Sequence, residues 1–223
     1  MKKLYVFQAT FLLGLIFMSN LSTYSHSKEI SRAQYFFAFG SASDATEAAF
    51  PRRNTVTREE FKDGKSVVKI TKTFEYLAAD RFRGTTERSV NGKSEVGQYL
   101  QVGKSYYCKE GNRAWKKSPQ PCIPITMMSG QAPDKREYTM ENLVSNGEQL
   151  RVFRMYEAHS WPKDGSSEPI EYYFEQIFTV DSAGLLTHID IKEGRVTGSQ
   201  IDSKQTETYE YNVRISRIDP PLR

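Results

Sequence analysis

Alternation of apolar with polar residues recurs along most of this 223-residue chain and commits it to extended strands, each with one buried face. Over residues 66–76, Val68, Ile70, Phe74 and Tyr76 fall on one side and Lys69, Thr71, Thr73 and Glu75 on the other, just after an Asp63-Gly64 turn. Residues 82–90 and 93–102 read as a hairpin across Asn91-Gly92, with Val96, Leu100 and Val102 alternating with polar neighbours in the second arm. Asn146-Gly147 predicts a second hairpin between 137–144 and 149–159, in which Leu150, Val152 and Tyr156 share a side. Residues 160–169 break the pattern. It resumes over 170–180, with Tyr172, Phe174, Phe178 and Val180 together, turns through Asp181 to Gly184, and returns with Leu185, Ile189 and Ile191. The last stretch, 206–218, aligns Tyr209, Tyr211, Val213 and Ile215 before Pro220-Pro221 ends it.

About eight to ten strands of this length, without any βαβ rhythm, predict a mainly β chain built as a single antiparallel curved sheet or half-barrel. One short N-terminal helix is expected over 29–39, where Ile30, Ala33 and Phe37 fall roughly on a stripe. Residues 118–134, carrying Pro119, Pro121, Pro124 and Pro133, form the one long irregular insertion.

Ahead of the strands, Lys2 and Lys3 precede a largely apolar run from Leu4 to Met18 and a small, polar stretch ending in Ser25-His26-Ser27. That is the layout of a secretory signal peptide over residues 1–27, cleaved before Lys28, and the run is short of the roughly twenty residues a membrane span needs. The expectation is a protein exported to a periplasm or the exterior, with residues 28–223 forming a single β-rich domain. Neither cysteine lies near the end of the apolar run, so no residue there carries a lipid anchor.

The formal charge of +4 falls to +2 without Lys2 and Lys3, and acidic residues interleave with basic ones, so nucleic acid is not expected as a partner. Cys108 and Cys122 are the only cysteines. Export favours their pairing as a disulfide that pins the intervening Pro-containing loop, and two cysteines without a neighbouring histidine do not complete a metal site. No cofactor is implied.

Three groups of residues carry a resemblance to a known family. Residues 74–83 (Phe-Glu-Tyr-Leu-Ala-Ala-Asp-Arg-Phe-Arg), then Gly103-Lys104-Ser105-Tyr106-Tyr107 and Trp115-Lys116-Lys117, form the first. Phe178-Thr179-Val180-Asp181 before Gly184-Leu185-Leu186 is the second, and Tyr209-Glu210-Tyr211-Asn212-Val213 before Ile218 and Pro220-Pro221 the third. Together, over residues 56–221, they resemble the periplasmic lipoprotein-carrier and outer-membrane lipoprotein-sorting (LolA-like) superfamily. Ala79 departs from the proline usual in that pattern, and the cysteine pair is not part of it. The resemblance implies a half-barrel of antiparallel strands whose concave side is closed by a helical lid and binds acyl chains or other lipids.

The apolar and aromatic positions that would line such a concavity are Val68, Ile70, Phe74, Tyr76, Leu100, Tyr172, Phe174, Tyr209 and Tyr211. Ordinary core packing accounts for the same alternation equally well. Trp115 and Trp161 suit its rim. An enzyme is not expected. His159 and His188 stand in no recognisable catalytic setting, Ser129 and Ser166-Ser167 lack a strand-turn-helix context, and the two Lys-Asp-Gly turns lead into no helix. Two functions remain open: an envelope carrier or binder of a lipid or acylated ligand, and a non-enzymatic interaction or stress-sensing module that meets an envelope protein.

Overall fold

The computed structural model describes residues 27–122, 133–161, 170–196 and 200–221. The signal peptide expected over 1–27 lies outside them save for Ser27, as do Ser129, Ser166 and Ser167. In chain order the elements are β1 (Lys28–Glu29), α1 (Arg32–Ala48), β2 (Arg52–Lys62), β3 (Lys65–Ala78), β4 (Arg81–Val90), β5 (Lys93–Val102), β6 (Ser105–Glu110) and β7 (Lys116–Ser118), then β8 (Lys135–Ser145), β9 (Glu148–Trp161), β10 (Ile170–Val180), β11 (Leu186–Arg195) and β12 (Gln200–Tyr211).

All twelve strands join one antiparallel sheet in the order β1-β8-β9-β10-β11-β12-β2-β3-β4-β5-β6-β7. The sheet stays open, as the alternation predicts. Two-residue hairpins set much of the register. Asp63-Gly64, Asn91-Gly92 and Asn146-Gly147 all hold positive φ at both positions, the backbone that matches strand twist in a tight β-turn. The two halves of the chain meet where β12 pairs with β2, from Ser203 opposite Glu60 to Tyr211 opposite Arg52.

The helix differs from expectation in length and in face. Lys28 and Glu29 are a short strand paired with Met140 and Thr139 of β8, and the helix follows from Arg32 to Ala48. Ser31 starts it: its hydroxyl accepts from the Gln34 amide at 3.2 Å and the Gln34 side chain accepts from the Ser31 amide at 2.8 Å, a reciprocal capping box. The buried stripe is Tyr35, Phe39, Ala42 and Thr46, a spacing of four, three and four, whereas Ala33 and Phe37 face solvent, Phe37 with 78% of its surface exposed. At the other end Arg52 donates to the carbonyls of Glu47 (2.8 Å) and Ala49 (3.3 Å), satisfying acceptors that a helix terminus leaves free.

The main core lies between this stripe and strands β8–β11: Tyr35, Ala42, Tyr138, Phe153, Met155, Phe178, Val180, Leu186 and Ile189. Cys108 and Cys122 form the expected disulfide, with Cα atoms 6.0 Å apart. The strand expected over 206–218 stops at Tyr211, because Asn212 turns to φ 55° and its amide bonds back to the Pro51 carbonyl.

Candidate functional site

Directly opposed residues in an antiparallel pair point to the same side of the sheet, so the register carries sidedness from strand to strand. Phe178 lies under α1, and the row Phe178, Ile189, Glu207, Val56, Lys72 and Thr86 therefore runs from β10 to β4 on the helix side. The adjacent row is Gln176, Ile191, Gln205, Arg58, Ile70 and Arg88. On the other flank stand Tyr209, Asn54, Phe74 and Gly84, then Tyr211, Arg52, Tyr76 and Phe82. Helix α1 covers the β8–β11 part of this side and reaches Tyr211 and Arg52 with its last turns. Over β2–β4 the same side is lined by Val56, Val68, Ile70, Tyr76, Phe82 and Val90, all half-buried.

The aromatic end of this surface is tightly organised. The rings of Phe74, Tyr76 and Phe82 sit 5.3–6.3 Å apart, centroid to centroid. The Phe74 ring occupies the space a side chain at position 84 would need: a Cβ on Gly84 would lie 2.4 Å from the ring. Arg52 is buried between Phe50 and Tyr76, its guanidinium carbon 4.1 Å from the Tyr76 ring centre and 4.8 Å from that of Phe50. Tyr211 donates to the Leu186 carbonyl and meets the Thr46 hydroxyl at 3.1 Å, and Tyr209 donates to Glu207 at 2.8 Å. Burial pushes the phenols of Tyr76, Tyr209 and Tyr211 above their ordinary range, so all three stay protonated at neutral pH.

Of the residues singled out from sequence, Phe74, Tyr76, Tyr209 and Tyr211 come together at this aromatic end, and Val68 and Ile70 continue the same side along β3. Phe174 is on that side too but packs against the helix-covered core, with Tyr172 beyond it opposite His159. Leu100 is not among them. It opposes Arg83 and Tyr107 on the outer side, where with Trp115, Thr73 and Glu75 it borders a cavity of about 200 Å³. The Asn91-Gly92 turn holds the reason, since pairing Val90 with Lys93 sets Phe82 against Gln101 and turns Leu100 the other way. The same register reveals Phe82 and Val90, which periodicity alone does not single out.

The outer side is charged. Glu75 accepts from both Arg53 and Arg83, and Glu175 from both Arg154 and Lys192. His188 meets Asp190 there at 2.9 Å, while His159 is on the helix side, so the two histidines do not meet. Among the described residues no three His, Cys, Asp or Glu side chains are placed to hold a metal.

An open, single-sheet antiparallel fold with one helix packed on one side is thus the class to which this chain belongs. No family model matches the sequence, and no curated protein does. Among solved structures the chain is similar to LprF from Mycobacterium bovis, at 11% identity and a TM-score of 0.41, over 88% of this chain and all of that one. It is also similar to a LolA superfamily protein from Nitrosomonas europaea, at 9% identity and a TM-score of 0.27, over 78% of this chain and 91% of that one. The fold class stands on the strand order itself.

Proposed function

We propose that the protein is an exported carrier or binder of a lipid or acylated ligand, acting in a periplasm or outside the cell without a cofactor and without catalysis. The observation that carries this reading is the uneven cover on the helix side. Under α1 Phe153, Phe178, Leu186 and Ile189 are buried, but Val56, Val68, Ile70, Tyr76 and Phe82 over β2–β4 are left half-buried around Phe74. An acyl chain laid along β3 would complete their burial. Each buried methylene contributes about 0.8 kcal/mol, so a dozen offset the costs of association without a charged contact. Tyr209 and Tyr211 border this surface, Tyr209 packing against the helix-covered core as Phe174 does, and Tyr172 lies farther along β10 opposite His159.

Native mass spectrometry of the mature protein from its own envelope, with lipid extraction of the same sample, tests the reading. A bound lipid at one-to-one stoichiometry supports it, and a protein that is empty and also refuses added fatty acid refutes it.

A second reading, an interaction module that meets an envelope protein, draws on Phe36 and Phe37, which α1 presents to solvent at 45% and 78% exposure. A partner retrieved by the wild-type protein and lost on Phe37→Ser would favour it.

A further inference from the structure

The uncovered surface over β2–β4 is not uniformly apolar. Next to its aromatic end stand three cations on three adjacent strands: Arg58 on β2, Lys72 on β3 and Arg88 on β4. Arg58 and Arg88 both oppose Ile70, and Lys72 is one pair along, opposite Val56 and Thr86. Lys72 is thus the diagonal neighbour of both arginines, at a Cβ separation of roughly 7–8 Å. Like charges so placed repel each other, and acidic residues only partly compensate them. Among the described residues the ion pairs that involve β2–β4 are Arg53–Glu75, Arg53–Glu210, Arg83–Glu75, Lys69–Glu59 and Arg58–Glu60, the last at 3.4 Å, so Lys72 and Arg88 stand outside them. Glu95 opposes Arg88 in register without forming an ion pair with it, and Glu207 is held by Tyr209 and Gln205. A second, independent feature is on β2. The Nε of Arg58 and the Oδ1 of Asn54 are buried polar atoms with no hydrogen-bond partner among the described residues, and both belong to side chains on this face.

We propose that the ligand is an acylated amphiphile with a phosphate headgroup, its chain along Phe74, Tyr76 and Phe82 and its phosphate between Lys72, Arg58 and Arg88. This rests on the carrier reading above and adds the chemistry of the head. A phosphate answers the cationic features: it neutralises the repulsion and accepts from the unpartnered Arg58 Nε in the geometry guanidinium groups favour, while Asn54 Oδ1, itself an acceptor, is left for a hydroxyl donor. The short span from Lys72 to Phe74, two residues along one strand, places head and chain sites within one molecule's reach.

The experiment compares phosphatidylglycerol with diacylglycerol of identical chains, which lacks the phosphate, measured by displacement of a fluorescent fatty acid from the mature protein. The wild type should prefer phosphatidylglycerol about tenfold or more at low salt, with the preference shrinking as ionic strength rises. Arg88→Gln, at an exposed position, and Lys72→Gln should each reduce that preference while leaving diacylglycerol binding unchanged, and Lys72→Arg should retain it. Inorganic phosphate at millimolar concentration should not displace the lipid, since the head site alone does not hold the chain. Equal affinity for the two lipids, a preference that survives in both Gln variants, or displacement by inorganic phosphate overturns the headgroup assignment and leaves the carrier reading standing. Failure of both lipids to bind overturns the carrier reading itself.

Discussion

At Phe178 three aromatic rings converge: Tyr35 and Phe39 from α1, each 5.2 Å away and near edge-on, and Phe153 from β9, stacked at 4.7 Å. The side chain has no solvent-exposed surface, so truncation leaves a cavity beneath the helix. Phe178→Ala should cost about 3–5 kcal/mol, read as a lowered urea midpoint. Phe178 was legible as an inward residue of an alternating strand; its helical partners were not, because the true stripe of α1 pairs Tyr35 and Phe39 with Ala42 and Thr46, two residues too small or polar to stand out. On the outer side the balance is electrostatic. Burial raises the pKa of Glu75, but hydrogen bonds from Arg53 and Arg83 outweigh it and hold the carboxyl below its ordinary value of 4.5. The folded state therefore favours the ionised form, and that stabilisation is present above pH 4.5 and is lost as pH falls below it. Glu75→Gln should be less stable than wild type at pH 7, with the gap in urea midpoint narrowing from pH 4.5 downward.

Among the elements, β11 carries a tight constraint. Gly194 sits at a register shift against β12, and a Cβ there would lie 2.0 Å from the Gln200 carbonyl oxygen. Backbone cannot rotate away as the Phe74 ring can at Gly84, so Gly194→Ala should destabilise by about 2 kcal/mol or more and exceed the effect of Gly84→Ala in parallel denaturation curves. Reducing the Cys108–Cys122 bond, which closes a separation of 14 residues, should lower stability by roughly 3 kcal/mol and loosen β6 and β7 first, as hydrogen exchange would show. The long strands with a single apolar side, β3 and β10, could be read from sequence almost to their ends. Strand β2 could not. Its helix side carries Asn54, Val56, Arg58 and Glu60 and its outer side Arg53, Thr55, Thr57 and Glu59, so neither side gives an apolar period. Its place is set by β12 and β3 on either flank, a long-range pairing that local pattern does not encode. The three cations were missed for the same reason: Arg58, Lys72 and Arg88 become neighbours only once β2, β3 and β4 are aligned.

At the scale of the whole molecule, the sheet has one charged side and one side that a single helix covers in part. Periodicity and turn chemistry made the open antiparallel sheet legible, and also most of the side on which each strand buries its residues. How far the helix reaches was not legible, because that follows from the docking of Tyr35 under Tyr138 and Phe178 and of Thr46 against Leu186 and Tyr211, contacts between segments more than a hundred residues apart. The surface left over β2–β4 is the feature on which the proposed function turns. Ile70 is its half-buried centre, away from α1, and Ile70→Asp places a charge there without opening the main core. The most direct measurement is fatty-acid affinity of wild type and Ile70→Asp, with the fold of both checked by circular dichroism and urea unfolding. A loss of about tenfold or more in the variant, with the fold retained, is what an acyl chain along β3 predicts; equal affinity in two folded proteins would contradict it and return this face of the sheet to plain packing.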